Sequence, residues 1–205
     1  MNDPLNIRLV EADAFERPVK LRLPFRFGAA TLREARQIFL RVRIEDAQGR
    51  AAQGMAAELM VPKWFDKSPE LSNADNENQL RRSLALALDA LKNAGSGTAF
   101  GLHAAVEASH HARAAAEKLN GLVASFGLAL ANRAILDALC RLEGLTIAQA
   151  VKANRPGIDA STARDLAGFD LSGFLSTLEP SASLAAILSA WSMPSSLATF
   201  RLASG

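Results

Sequence analysis

The sequence predicts an α+β domain, a three-stranded antiparallel β-meander followed by a helical bundle, with an irregular C-terminal tail. Three observations predict it. Apolar and polar residues alternate with period two in the segments up to about Ala56, and from Ser72 the apolar residues recur at helical spacing. Turn and capping residues punctuate both regions, and strands gathered before helices is the α+β order rather than the interleaved order of a parallel sheet. At 205 residues the chain has room for one comfortable core or two small ones.

Val19-Lys20-Leu21-Arg22-Leu23 alternates as a half-buried strand does. Pro24 is expected to end it, and Pro24–Gly28 to form a loop in which Gly28 takes a positive φ. Ile38–Ile44 is the clearest strand: Ile38, Leu40, Val42 and Ile44 point one way, Phe39, Arg41 and Arg43 the other. Asp46-Ala47-Gln48-Gly49 carries hairpin turn chemistry, and Arg50–Ala56 returns as the third strand.

Ser72 with Asp75 has the spacing of a helix start, and Leu80, Leu84, Leu86, Leu88 and Leu91 thread an apolar face through Gln79–Lys92. Gly95-Ser96-Gly97 breaks that helix. An alanine-rich helix is expected over Leu102–Leu119, ended by Asn120-Gly121 with the glycine in the left-handed position. A third covers Ser125–Leu142 and closes at Glu143-Gly144. Thr146 and Gln149 repeat the capping-box spacing ahead of a short helix, Ile147–Lys152. Pro156-Gly157 marks a turn, and Asp170 N-caps a small helix carrying Phe174, Leu175 and Leu178.

Hydrophobic residues make up 49% of the chain and charged residues 21%, a globular balance. The formal charge of +2, from 23 basic and 21 acidic residues without a basic block, indicates no nucleic-acid partner. The single Cys140 excludes an intramolecular disulfide and, on an apolar helical pattern, reads as a buried inert thiol. The N-terminus lacks a basic segment followed by an apolar core, and nowhere do about 18 apolar residues run together, so neither a signal peptide nor a membrane span is expected. A cytoplasmic location is the expectation. His103, His110 and His111 read as a solvated face of the alanine-rich helix rather than a metal site, because helical ligand pairs use spacings of three or four. Neither phosphate-binding glycine motifs nor a Gly-x-Ser-x-Gly elbow occurs.

Three stretches carry a family resemblance. They are Leu23–Gly28 followed by Phe39–Ile44, then Val61-Pro62-Lys63-Trp64-Phe65-Asp66-Lys67 with Leu71–Asn76, and Asn132–Arg141. Together, over about Leu21–Pro180, they resemble the N-terminal capping domain of the mandelate racemase/muconate-lactonizing branch of the enolase superfamily. The resemblance implies that residues 1–180 are a capping domain and that the catalytic barrel is missing from the chain. In such enzymes the barrel supplies carboxylates for Mg²⁺ and a base that removes the proton next to a substrate carboxylate. The capping domain closes over its mouth and shapes specificity. The implied substrate is a sugar acid or related hydroxy acid. The loops matching the closure role are Pro24–Leu32 and Met55–Trp64. On that reading Arg26 meets an anionic substrate group, Phe25, Phe27 and Trp64 form an apolar wall, Lys63 adds a second charge, and Met55 belongs to the same capping loops. The residues themselves also allow a plainer account: the aromatic rings as core or interface, Arg26 and Lys63 solvated or paired locally. Glu58 is the lone acid of its loop. The chain is therefore expected to carry no catalytic residue, no metal ligand and no cofactor, Mg²⁺ belonging to the parent enzyme alone.

Residues 181–205 fit the resemblance poorly. Read in the neighbouring frame from Ala185, a consistent codon choice spells Arg-His-Thr-Val-Gly-Met-Val-Asp-Ala-Ile, similar to the start of the family's barrel. The expectation is a frameshift or base error that truncates a longer enzyme; a genuine helix over Leu184–Leu188 is the alternative. The functional expectation is a capping domain inactive alone, its partner the missing barrel. The alternative is a binding or self-association module using the barrel-facing surface.

Overall fold

A computed structural model describes residues 3–28 and 30–179. The readings placed on the tail, the shifted frame included, lie outside these described residues. The architecture is α+β. Strands β1 (Ile7–Phe27), β2 (Ala30–Asp46) and β3 (Ala51–Met60) form the expected antiparallel meander, and a two-residue β4 (Ser96–Gly97) extends the sheet to the order β3-β2-β1-β4.

The strands are longer than their local patterns indicate. β1 begins at Ile7, twelve residues before the expected segment, because Arg8–Lys20 pair along β2 from Glu45 to Glu34. Pairing, not its own alternation, decides this stretch. Pro24 does not end the strand either. The register shifts between Lys20 and Phe25 and pairing then resumes, Phe25 opposite Leu32, Arg26 opposite Thr31 and Phe27 opposite Ala30. The flank of β1 away from β2 is a sheet edge here, since β4 meets only Ile7 and Arg8, and an edge tolerates proline. Both expected loops are thereby corrected. Pro24–Leu32 is the end of a β-hairpin, and Met55–Met60 is strand, paired with Arg41–Arg36.

The helices follow their caps. α1 (Asn73–Asn93) starts at Ser72, whose capping box with Asp75 is complete, and α2 (Ala99–Ala116) starts at Thr98. Asn120-Gly121 serves the next helix rather than closing α2: the Asn120 side chain accepts from Val123 N–H at 2.9 Å and caps α3 (Gly121–Glu143). Lys118, with φ 61°, takes the left-handed turn instead. Gly144 closes α3 at φ 66°. α4 (Ile147–Lys152) carries the Thr146/Gln149 capping box, and Asp170 caps α5 (Leu171–Ser176).

The inner face of the sheet, with Ile38, Leu40, Val42 and Ile44 all buried, meets α1 and α3, and α2 packs against both of those helices. α3 is long and apolar enough by length and composition to cross a membrane, with a mean hydropathy of 1.5 over an 18-residue window. Within this fold 61% of that window is buried, against the sheet, α1 and α2. β3 and α3 approach until only glycine fits. A Cβ on Gly54 would fall onto the Ala134 carbonyl oxygen and the Ala138 backbone, with Ala138 Cα at 2.8 Å. A buried Arg155–Glu143 pair, its guanidinium also donating to the Asp3 carbonyl, ties the segment after α4 to the end of α3 and to the N-terminus.

Candidate functional site at the hairpin tip

The β1–β2 hairpin is braced at its stem. Arg81 of α1 grips the Glu16 carboxylate with two hydrogen bonds of 2.6 and 2.7 Å, which holds that carboxyl below its usual pKa range. Beyond Arg36, the last β2 residue paired with β3, the hairpin continues as a two-stranded ribbon. Its turn passes through Gly28, at φ 53°.

A second segment, Val61–Phe65, meets this ribbon and is held from several sides. Pro62 is buried, and Trp64 N–H donates to the Val61 carbonyl at 3.3 Å. Phe65 packs edge-on against core Phe126 with ring centres 5.2 Å apart, and its carbonyl accepts from Asn120 Nδ2 at 3.1 Å. Lys63 stands at φ 65°, an uncommon conformation for a residue with a side chain. Its N–H donates to Oδ1 of buried Asn76 at 3.1 Å, and its Nζ donates to the carbonyls of Ser68, at 2.8 Å, and Leu71. Asp66 accepts from Ser68 N–H and Gln79 Nε2, which lowers its pKa.

The two segments bring three of the expected residues together. Phe25 stacks on Phe27 at 5.9 Å between ring centres, and Phe27 meets Trp64 edge-on at 5.2 Å. Phe25 remains 54% exposed and Trp64 49%. Arg26 lies in the same hairpin end, opposite Thr31, and is exposed. The ammonium of Lys63 is engaged by its own loop. Met55 stands apart, mid-strand opposite Arg41 and five residues up β3 from Met60, about 17 Å along an extended chain.

Beside the rings lies a hollow of about 430 Å³ lined by Leu21, Phe25, Leu32, Glu58, Leu59, Val61, Trp64 and Phe65. Its one carboxylate, Glu58, is paired with Arg133 Nη2 at 2.8 Å. Leu32, Leu59 and Phe65 are wall residues that sequence reading missed. Leu32 was legible only through its pairing with Phe25, which required the hairpin register. Among the described residues no three Asp, Glu, His or Cys side chains lie together as a metal site would need.

The histidines differ from expectation. His110 is fully buried, with Nε2–H donating to the Ala124 carbonyl at 2.8 Å. Ser83 Oγ donates to that same carbonyl and accepts from Gly127 N–H, so three helices meet at this point. Burial pushes the His110 pKa down. The reason is α2's inward stripe Leu102, Val106, His110 and Ala114, a spacing of four that places the imidazole against α3. His103 accepts from Asn132 Nδ2 at 2.7 Å. Cys140 is buried as expected, and desolvation raises its pKa, with Asp137 and Glu143 adding to the shift. A scan against protein-family models, a search of curated proteins and a search of solved structures each find no match to this chain.

Proposed function

We propose that residues 1–180 act as a substrate-capping domain of the enolase-superfamily kind, with the proton-abstracting machinery lying outside them. The observation that carries this reading is the meeting of Phe25, Phe27 and Trp64 at the hairpin end. Phe27 is partly buried between two rings from distant segments, Phe25 and Trp64, which each leave about half their surface open. A free monomer gains little from such exposure, whereas a lid that seals a barrel mouth uses it to exclude water. Arg26, exposed in the same hairpin end, offers a guanidinium to an anionic substrate group. The parent chemistry is Mg²⁺-assisted removal of the proton next to a carboxylate, with metal and base contributed by the barrel.

The test grafts residues 1–180 onto the barrel of a muconate-lactonizing-branch enzyme and follows exchange of the substrate's α-proton in D₂O. Arg26→Ala and Trp64→Ala are each expected to lower kcat/KM by at least about tenfold, the scale of one lost hydrogen bond to a charged group for Arg26 and of one lost buried apolar side chain for Trp64. Unchanged kcat/KM in both variants refutes the assignment. A second reading, self-association through the same rings, is favoured by Leu23, which is 68% exposed on the same hairpin. A stable dimer dispersed by Trp64→Ser in sedimentation would select it.

A further inference from the structure

Strand β1 leaves a long bare sheet edge. β4 meets it only at Ile7 and Arg8, and no other described strand lies along residues 11–20 on the side away from β2. Residues 13–18 are all exposed, whichever face of the sheet their side chains take. Main chain is part of what is open: Glu16 is exposed as a residue although its side chain, held by Arg81, is only 24% open. Pro18 indicates which groups look outward. A proline on a sheet edge turns the side that lacks a donor away from the neighbouring strand. Ala12, Ala14 and Glu16 share its alternation, so their N–H and C=O groups point away from β2. Such a row is a template for another strand. It is bounded at both ends. Val10, the extra residue where the register shifts between Leu9 and Glu11, closes one end and Pro18 the other, each four residues from Ala14.

We propose that this edge pairs with the same edge of a second copy of the chain, antiparallel about a two-fold axis through Ala14, which joins two sheets into one. The edge is complementary to itself in that register. With Ala14 opposite Ala14, Glu11 faces Arg17 of the second copy and Arg17 faces its Glu11. Asp13 then faces Phe15 and Ala12 faces Glu16, so no like charges are opposed within residues 11–17. Arg17 is free to take the pairing. In its own chain it is exposed, donates to Gln37 at 2.9 Å and lies over the Phe39 ring, with no carboxylate partner among the described residues. Glu11 has a single 3.7 Å contact, with Arg43. The bounds also coincide: Val10 of one copy falls opposite Pro18 of the other, so a ladder of about six main-chain hydrogen bonds ends where both chains cease to pair. An axis through Phe15 would instead put Pro18, which lacks a donor, inside the ladder opposite Ala12. The contact is small, and the dimer is a reversible one. It uses no residue of the aromatic cluster at the hairpin tip.

The experiment follows the full chain from micromolar to near-millimolar concentration by sedimentation velocity and by amide hydrogen exchange. The expected result is a monomer–dimer equilibrium in which the Ala12, Ala14 and Glu16 amides exchange at least about tenfold more slowly as dimer forms. Ala14→Pro removes the central donor and abolishes the dimer. Arg17→Glu sets two acids opposite one another and weakens association by at least about tenfold. Adding Glu11→Arg to it restores the dimer, a recovery that a folding defect cannot give, so this pair carries the test should Ala14→Pro fail to fold. Trp64→Ser leaves the dimer intact, which separates it from association through the ring cluster. A monomer at every concentration overturns the proposal. So does a dimer that a folded Ala14→Pro chain or Arg17→Glu leaves unchanged, one that Trp64→Ser disperses, or one that the double variant does not recover. Equal protection of the three amides at all concentrations also overturns it, since the edge then has another occupant.

Discussion

Replacing Gly54 with alanine adds one methyl group at the closest approach of sheet and helix. The new carbon would lie on the Ala134 carbonyl oxygen and the Ala138 backbone, atoms that have no rotamer to escape into. Relaxing the 2.8 Å approach to Ala138 Cα to an ordinary 3.4 Å contact already parts strand and helix by about 0.6 Å, and the two nearer atoms demand more. A gap of roughly 0.5–1 Å forfeits about a quarter to a half of the dispersion energy of the atoms it separates. Here that loss spreads along the seam where α3 rests on β3. Overpacking typically costs about 1–3 kcal/mol, and a backbone-on-backbone clash belongs at the upper end, about 3 kcal/mol. For a domain of this size each kcal/mol lowers the midpoint by about 2–4 °C, so Tm should fall by about 6–12 °C. Gly121→Ala is the control. Its Cβ meets nothing within 4 Å at the first position of α3, and alanine there should be neutral or stabilising by up to about 1 kcal/mol. Differential scanning fluorimetry with circular dichroism reads both variants. A Gly54→Ala protein that melts with the wild type would show that strand and helix are not in the described contact.

Other consequences concern buried polar groups. Arg155→Met strands the Glu143 carboxylate, whose side chain is 11% exposed, and should cost about 3 kcal/mol in a denaturant titration. Loss below about 1 kcal/mol would place the pair in solvent. His110 sets an acid limit. Its folded-state pKa is depressed by burial, and the positive charge it would acquire is further opposed by His111, Arg113 and His103. The unfolded chain therefore binds the proton first. The stability it contributes is complete above the ordinary histidine value of about 6.5 and erodes as pH falls from there toward the lowered native value. Tm should decline between about pH 7 and pH 5, before the carboxylate pairs protonate, and His110→Gln should flatten that decline. An equal decline in the variant would assign it to another group.

What was legible in the chain was what is local. Ser72 with Asp75, Thr146 with Gln149, and Asp170 mark helix starts through bonds made within four residues, and each appears as expected. Asn120 was misread because asparagine suits both the end of one helix and the start of the next, and only packing chooses. β1 was read short although Val10-Glu11-Ala12-Asp13-Ala14 alternates, because alanine, glutamate and aspartate are weak strand formers and pairing with β2 is what makes the segment a strand. Proline at an edge removed the expected stop at Pro24 for the same nonlocal reason. At the hairpin tip, Phe25, Phe27 and Trp64 stood out as large apolar residues beside turn signals, and they do meet. The engagement of Lys63 Nζ by the Ser68 and Leu71 carbonyls depends on a left-handed backbone at position 63, which its sequence neighbourhood does not announce. His110 carried a usable signal in its four-residue spacing from Val106, outweighed by the polarity of neighbouring His111.

The proposed capping role requires that this domain cover a reaction centre supplied from elsewhere and not run a reaction itself. Incubating the purified chain with Mg²⁺ and a panel of hydroxy and sugar acids in D₂O, with mass-spectrometric detection of deuterium next to the carboxylate, tests it most directly. Incorporation no faster than in buffer with Mg²⁺ is the predicted result. Reproducible incorporation that needs the protein and is removed by a chelator would contradict it.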